Sequence, residues 1–310
     1  MNLENAKTIA VDNGFGVTKS SVNDVKFKST VKKGEDIYNA NVMQVKFNDE
    51  NYIVGESNNG YIVDSDKLST EWNRLHLTIA TLTSIGLSFN KEKDITTHIA
   101  LGTPSQYYSN QRDGMAELFK NKEFKIYINK VGFEQRIKIE NVLVLPQALA
   151  PILVSEEYLN SRVTVIDIGS GTVDVAEVVK GKLIRTLTIE NGCMKLYSKI
   201  AQKLNNEYNT KYSADDIIDL ISDDYFLANG EKHTMGTYMD SILAEHVEEI
   251  MRDIKQADFD LLGTKVVLIG GGAVLLNKHF INHVNHAKKA FSPQTSNVKS
   301  FHEILKSKLV

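Results

Sequence analysis

Residues 8–20 read TIAVDNGFGVTKS, and residues 163–175 read VTVIDIGSGTVDV. Each stretch is an apolar strand, then Asp-x-Gly-x-Gly, then a charged residue seven places after the first Asp. That residue is Lys19 in the first copy and Asp174 in the second. The spacing repeats and the charge does not, as expected of two related half-molecules facing one polyanionic ligand from opposite sides. Glycine permits positive φ and close backbone approach to a ligand, and successive N–H groups in such a turn form an anion-binding nest. The element after each turn separates the nucleotide folds. A Rossmann site continues into a helix, whereas VTKSSVNDVKF and TVDVAEVVKGKLIRTLTI are β-branched and strand-like. GVTKS also lacks the Gly before Lys that a P-loop requires. Both of the commoner nucleotide folds are disfavoured.

Two phosphate-gripping hairpins, each led by an aspartate, suit a nucleoside triphosphate with a divalent metal. Mg²⁺ keeps several waters and takes few carboxylates, so Asp12 and Asp167 are expected to hold it largely through water. Lys19 would neutralise phosphate charge as a flexible point cation. A plain tight β-turn is the alternative for either copy alone. A third turn, Gly270-Gly271-Gly272 within KVVLIGGGAVLL, lies between a strand and a helix and weighs against that alternative. Its glycines would let adenine and ribose lie against the backbone, with a simple packing turn as the equal alternative.

The 310 residues are enough for two ordinary domains. A net charge of -3 supplies no global basic field, so no direct binding to DNA is expected. The single Cys193 rules out a disulfide framework and fits a reducing cytoplasm. MNLENAKT runs into the first strand without the apolar region of a signal peptide. The longest apolar stretch, Val142 to Val154, is interrupted by Pro146, Gln147 and Pro151, so no membrane is implied.

Along the chain, residues 7–31 read as a strand, a glycine turn and a second strand, SSVNDVKFKST. Short strands come next over 41–63, with turns at Asn48-Asp49 and Asn58-Asn59-Gly60. Ser69 or Thr70 caps a helix carrying Trp72, Leu75, Ile79 and Leu82 at helical spacing. A buried strand THIALGT, a helix near 109–120 and strands around 124–130 and 135–140 precede NVLVLPQALAP, a strand running into a helix start. The second half repeats the order: strand-turn-strand over 163–189 with a hairpin turn at Lys180-Gly181-Lys182, a helix after Gly192, a mixed polar region at 208–235, and an amphipathic helix with Leu243, Val247, Ile250, Met251 and Ile254.

Taken as a set, these motifs resemble those of the actin-like ATPases. DNGFGVTK is similar to the first phosphate loop of actin, DIGSGTVD to the second loop of bacterial relatives and of the 70-kDa heat-shock chaperones, and VLIGGGAVLL to the adenosine motif. IALGTPSQYYSNQRDGMAELF and PQTSNVKSF resemble segments of plasmid-segregating ParM-type actins, with Thr103 and Ser300 departing from the usual residues. The resemblance implies an α/β, actin-like ATPase fold of two RNase H-like domains with a nucleotide cleft between them. Residues 1–155 with 291–310 would form domain I and 156–290 domain II, with insertion subdomains near 28–65 and 208–240. Asp12, Asn13, Gly14, Phe15, Gly16 and Lys19 would take the β- and γ-phosphates of ATP, and Gly169, Ser170, Gly171 and Thr172 the γ-phosphate from the other side. Gly270, Gly271 and Gly272 would bind the adenosine. Asp167 would help hold hydrated Mg²⁺ and polarise the attacking water, and Gln147 would orient it. A simple amide cap on the helix after Pro146 is the other reading of Gln147. Asp174 either binds a metal-bound water or caps its hairpin. The resemblance further implies self-assembly into filaments and plasmid segregation through a ParR-like DNA-binding adaptor on a centromere-like site.

His279, His283 and His286 recur at i, i+4 and i+7 and could face zinc, but a solvated or lattice-contact helix face is expected. Trp72 is expected in the core, and Cys193 as a small buried apolar side chain. Two other functions share the fold: a sugar or acid kinase, which needs an aspartate base that Asp174 could supply, and a non-polymerising chaperone-like ATPase.

Overall fold

A computed structural model describes residues 6–39, 41–56 and 66–309. The chain divides into two compact units, Met1–Leu159 with Thr295–Val310, and Asn160–Gln294. The turn expected at Asn58-Asn59-Gly60 lies outside the described residues, as does the end of the insertion expected near 28–65.

The first unit begins with β1 (Lys7–Asn13), β2 (Val17–Ser20), β3 (Lys26–Lys28), β4 (Val31–Lys33), β5 (Gln44–Phe47) and β6 (Glu50–Val54). Then come α1 (Glu71–Ser88), β7 (Asp94–Thr103), α2 (Tyr108–Phe119), β8 (Lys122–Ile128), β9 (Glu134–Pro146), α3 (Ala150–Leu153) and α4 (Glu156–Leu159). Two expectations are corrected. The strand read as SSVNDVKFKST is broken at Asn23-Asp24, both at positive φ, so β2 and β3 form a second hairpin. The strands read at 135–140 and in NVLVLP are one continuous β9, which carries an extra residue, Glu140, where its pairing with β7 shifts register between Thr97 and His98.

The strand order is β3-β2-β1-β7-β9-β8-β5-β6-β4. Alternation along β1 decides what covers each face. Ile9 and Val11 join Leu77, Ile79, Leu82 and Ile85 of α1 in one core, each burial worth about 2 kcal/mol. Ala10, pointing the other way, packs with Ala100 and Leu145 beneath the last helix. Thr70 caps α1, accepting from the Asn73 N–H at 3.0 Å. Trp72, expected in the core, is 39% exposed; it lies on the outer face of α1, one turn before the buried run begins.

The second unit contains β10 (Arg162–Ile168), β11 (Val173–Val179), β12 (Lys182–Ile189), α5 (Cys193–Tyr208), α6 (Ala214–Asp223), β13 (Tyr225–Ala228) and β14 (Glu231–Thr234). It continues with α7 (Met235–Gln256), β15 (Lys265–Ile269), α8 (Gly272–His283) and β16 (Lys288–Lys289). The sheet order is β12-β11-β10-β15-β16. This is the β3-β2-β1-β7-β9 order of the first unit again, with two antiparallel pairs followed by two parallel ones in each. One buried carboxylate ties the antiparallel half together. Glu177 receives Arg162 at 2.7 Å and Arg185 at 2.6 Å. Burial alone would raise its pKa, and the two guanidiniums outweigh it, leaving it below the usual value.

The last helix, α9 (Ser296–Leu309), belongs to the first unit and packs on β1 and β7. Val298, Phe301 and Leu305 sit against the alanines of those strands. His279 is buried within 3.4 Å of Asp240 Oδ1, not solvated as expected. His286 falls beyond the end of α8 and meets the Thr264 carbonyl at 3.1 Å. The three histidines therefore do not share a helical face.

Candidate functional site

The seven-residue spacing has a simple structural origin. In the β1–β2 hairpin Asp12 lies directly opposite Lys19, and in the β10–β11 hairpin Asp167 lies directly opposite Asp174. The first and eighth residues of each motif form the last rung but one, with Asn13–Thr18 and Ile168–Val173 closing the hairpins at their glycine turns.

In the first unit the structure brings Asp12, the 13–19 loop and Gln147 together. Gln147 sits at the C-terminal end of β9 and donates from Nε2 to Asp12 Oδ1 at 2.9 Å. Its backbone is pinned as well, the N–H on the Thr103 carbonyl at 2.9 Å and the carbonyl on the Ser105 hydroxyl. The next residue, Ala148, has φ of 64° and donates to Asn297 of α9 at 3.2 Å. The helix-cap reading of Gln147 is therefore replaced: α3 starts with no side-chain cap, and the amide is committed to Asp12. Asn13 turns its side chain inward, donating to Thr81 Oγ1 of α1 at 2.9 Å and accepting from Thr18 Oγ1 at 3.4 Å. Only its backbone is left to serve a ligand. The sequence reading missed Lys67, a buried lysine whose Nζ donates to the Asn13 carbonyl at 2.5 Å. A lone Lys ahead of a helix cap carries no motif, so spacing offered no signal for it.

In the second unit the structure gathers Asp167, residues 169–172, Asp174 and the triple-glycine turn. The amino end of α5 takes the loop's carbonyls: Cys193 N–H donates to Gly169 at 3.0 Å, Met194 to Ser170 at 2.9 Å, and Gly192 to Gly171 at 3.1 Å. Helix N-termini carry unpaired N–H groups that need acceptors, which explains why Gly192 caps α5 without a side chain. A planar trans peptide sets C=O and the following N–H on opposite sides. The N–H groups of Ser170, Gly171 and Thr172 are thus turned away from α5, in the row that an anion nest requires. A Cβ at residue 192 would lie 2.5 Å from the Gly171 carbonyl carbon and from the Ser170 oxygen, so only glycine lets the helix come this near.

Asp174 is buried and accepts from Thr172 Oγ1 at 3.0 Å and Thr188 Oγ1 at 2.6 Å. Of its two readings, the geometry is that of a hairpin brace. Gly270, at φ of 86°, donates to the Pro293 carbonyl at 2.9 Å. A Cβ there would strike the Ile168 carbonyl and stand 2.5 Å from Asp167 Oδ1, whereas one at Gly271 would meet open space. The third turn is therefore both a packing device against Asp167 and an open backbone surface at its crest. Cys193 is buried, and burial pushes its thiol up to about 11, which removes a nucleophilic role at neutral pH.

Behind α5, Asn191 donates to Glu249 of α7 at 3.1 Å, and Lys199 reaches the same carboxylate at 2.6 Å. His246, one turn earlier on α7, is fully buried. Burial, with Lys199 adding repulsion against the opposing pull of Glu249, pushes it down to about 4. The native pKa lies below the unfolded one, so the unfolded chain takes up the proton first as pH falls. Stability is then lost between about pH 6.5 and 4, by roughly 3 kcal/mol in all, and levels off below. Urea titrations of the wild type and His246→Leu are expected to diverge over that window, the variant being flatter. Parallel curves would refute the assignment.

Among the described residues no cluster of three or more His, Cys, Asp or Glu side chains could hold a metal ion. The donor set at each hairpin is a single leading carboxylate beside backbone N–H groups. It fits a water-rich Mg²⁺ carried in with phosphate, not a caged ion.

Residues 10–149 match the family described as actin like proteins N terminal domain, and residues 165–282 match the archaeal actin homologue MreB-like C-terminal family. The chain belongs to the actin-like superfamily. Among curated proteins it is 28% identical over 159 residues to cell division protein FtsA of Streptococcus pneumoniae, covering 45% of this chain and 34% of that one. An archaeal actin homologue, Ta0583, solved in complex with ADP, superposes with a TM-score of 0.79 at 17% identity, covering 97% of this chain and 99% of that chain. A ParM from a 15-stranded filament of Clostridium botulinum gives 0.75 at 20% identity, covering 98% and 99%. At these identities the likeness establishes the actin-like fold.

Proposed function

We propose that this chain binds ATP with Mg²⁺, hydrolyses it, and couples the cycle to assembly and loss of filaments that segregate plasmid DNA through a ParR-like adaptor. The observation that carries the nucleotide reading is the second loop, whose carbonyls are spent on α5 so that three consecutive N–H groups face the other way. Asp12 and Lys19 offer the paired charges of the first loop, and Mg²⁺, when bound, would neutralise phosphate charge. Gln147 is no strong base. With Nε2 held by Asp12, its Oε1 end is the one that can accept from a water and align it. To Asp167, near the end of β10, we assign the polarising of the attacking water. The fold shared with an ADP-binding archaeal homologue and with a filament-forming ParM supports the same reading.

No helix among the described residues is long and apolar enough to cross a membrane; we place the protein's action in the cytoplasm, without direct contact to DNA. The kinase alternative loses support at Asp174, whose two oxygens already accept from threonine hydroxyls. Light scattering and pelleting with Mg-ATP, followed by negative-stain microscopy, test the proposal. Filaments that form with ATP and disassemble as phosphate is released are expected. Absence of polymer over a broad range of protein and salt concentrations would overturn the filament reading.

A further inference from the structure

Lysine is almost never fully buried unless its charge is held, yet Lys67 is only 3% exposed. Its Nζ donates to the Asn13 carbonyl at 2.5 Å and stands 5.4 Å from the centroid of the Phe15 ring. Both partners belong to the first glycine loop. The residue beside it, Asp66, is itself fixed: its Oδ1 accepts from the Leu68 N–H at 2.9 Å and from Gln111 Nε2 at 3.2 Å, and its carbonyl from Asn73 Nδ2 at 3.2 Å. Gln111 in turn accepts from Thr103 Oγ1 at 2.8 Å. The lysine therefore arrives at the loop from a rigid base.

The space around it decides how it can act. The cavity lined by Lys67, Phe15, Thr18, Ser29 and His76 leaves about 20 Å³ for the centre of a water molecule, room for roughly one water. No part of a nucleotide fits there, so Lys67 reaches a ligand only through the backbone. The Asn13 carbonyl and the Gly14 N–H share one planar peptide and point in opposite directions. An ammonium on the carbonyl fixes that peptide's orientation and, in a low-dielectric interior, polarises it so that the N–H becomes a stronger donor.

We propose that Lys67 is a positioning residue for the first phosphate loop, aiming and strengthening the Gly14 N–H toward a phosphate oxygen. The proposal rests on the reading of that loop as a phosphate grip. It separates phosphate recognition from recognition of the rest of the nucleotide, and the test uses that separation.

Full-length Lys67→Met, which keeps the stem against Phe15 and removes the charge, is compared with wild type by calorimetry using Mg-ATP and, separately, adenosine. Mg-ATP affinity is expected to fall about tenfold, the worth of one charge-assisted hydrogen bond, with adenosine affinity unchanged. Should the methionine variant lose its cooperative melting transition, Lys67→Gln is expected to give the same split. Unchanged Mg-ATP affinity, or equal losses for Mg-ATP and adenosine, would overturn the role of Lys67 alone. Wild-type protein that bound no ATP would instead remove the reading of the loop on which it stands.

Discussion

Asp167→Asn is expected to cut ATP turnover by about 10²–10³-fold, the usual cost of removing one group that stabilises charge in the transition state, while the melting temperature stays nearly unchanged. The side chain sits at the carboxyl end of β10, buried, with the Gly270 turn laid against it. An amide of the same shape preserves that packing, so the loss falls on charge alone. Asn can still hydrogen-bond a water but can neither share a divalent cation's charge nor polarise the water that attacks. Phosphate release under single-turnover conditions separates chemistry from product release. Full activity in the variant would show that the carboxylate is not part of the catalytic apparatus.

Gly192→Ala tests the second loop without touching a proposed ligand contact. The added methyl would lie 2.5 Å from backbone atoms of both Ser170 and Gly171, and neither can swing aside as a flexible side chain would. Overpacking of this kind costs about 1–3 kcal/mol, or roughly 5 °C of melting temperature for a unit of this size. The larger effect falls on binding. Pushing α5 from the loop breaks the three N–H···O bonds that set its carbonyls, so the opposing N–H row loses its alignment. Mg-ATP affinity is expected to drop by tenfold or more, at about 1.4 kcal/mol per decade. Gly271→Ala is the control for melting temperature alone: it meets open space within the protein, and its backbone is already in an ordinary helical conformation, with φ of −64°. Equal melting temperatures and affinities for Gly192→Ala and wild type would refute the packing account.

Much of this architecture was legible because its signals are local and periodic. Asp-x-Gly-x-Gly followed by β-branched residues distinguished a hairpin from a helix, and Thr70 marked the start of α1. Asn48-Asp49 announced its turn, and both residues adopt positive φ. The features that the pattern did not yield depend on contacts distant in sequence. Asn23-Asp24 breaks a strand that β propensity alone would continue, since a turn of this kind needs only two residues that tolerate positive φ. The helix cap once open for Gln147 fails because Asp12, far back in the chain, takes the amide. Lys67 is buried by a loop, a helix and a strand together, and a single lysine has no periodicity to betray it. Trp72 shows the reverse error: hydrophobic character suggested the core, but its place before the buried stripe of α1 left it outside.

The hydrogen bonds around the first loop close on themselves. From Asp12 the path runs through Gln147 to Thr103, on to Gln111 and Asp66, and by the chain to Lys67, which returns to Asn13 beside the start. Mechanically this is a linkage with no loose end. Cut at any one bond, it remains a tether, because Asp12 and Asn13 are then still held from the other direction. The two residues that open the phosphate loop can shift as a pair with their surroundings, but one cannot leave while the other stays. Precision at this loop is thus drawn from the whole circuit, distributed over β1, β7, α2 and the approach to α1, with the Lys67 contact as the link that closes it.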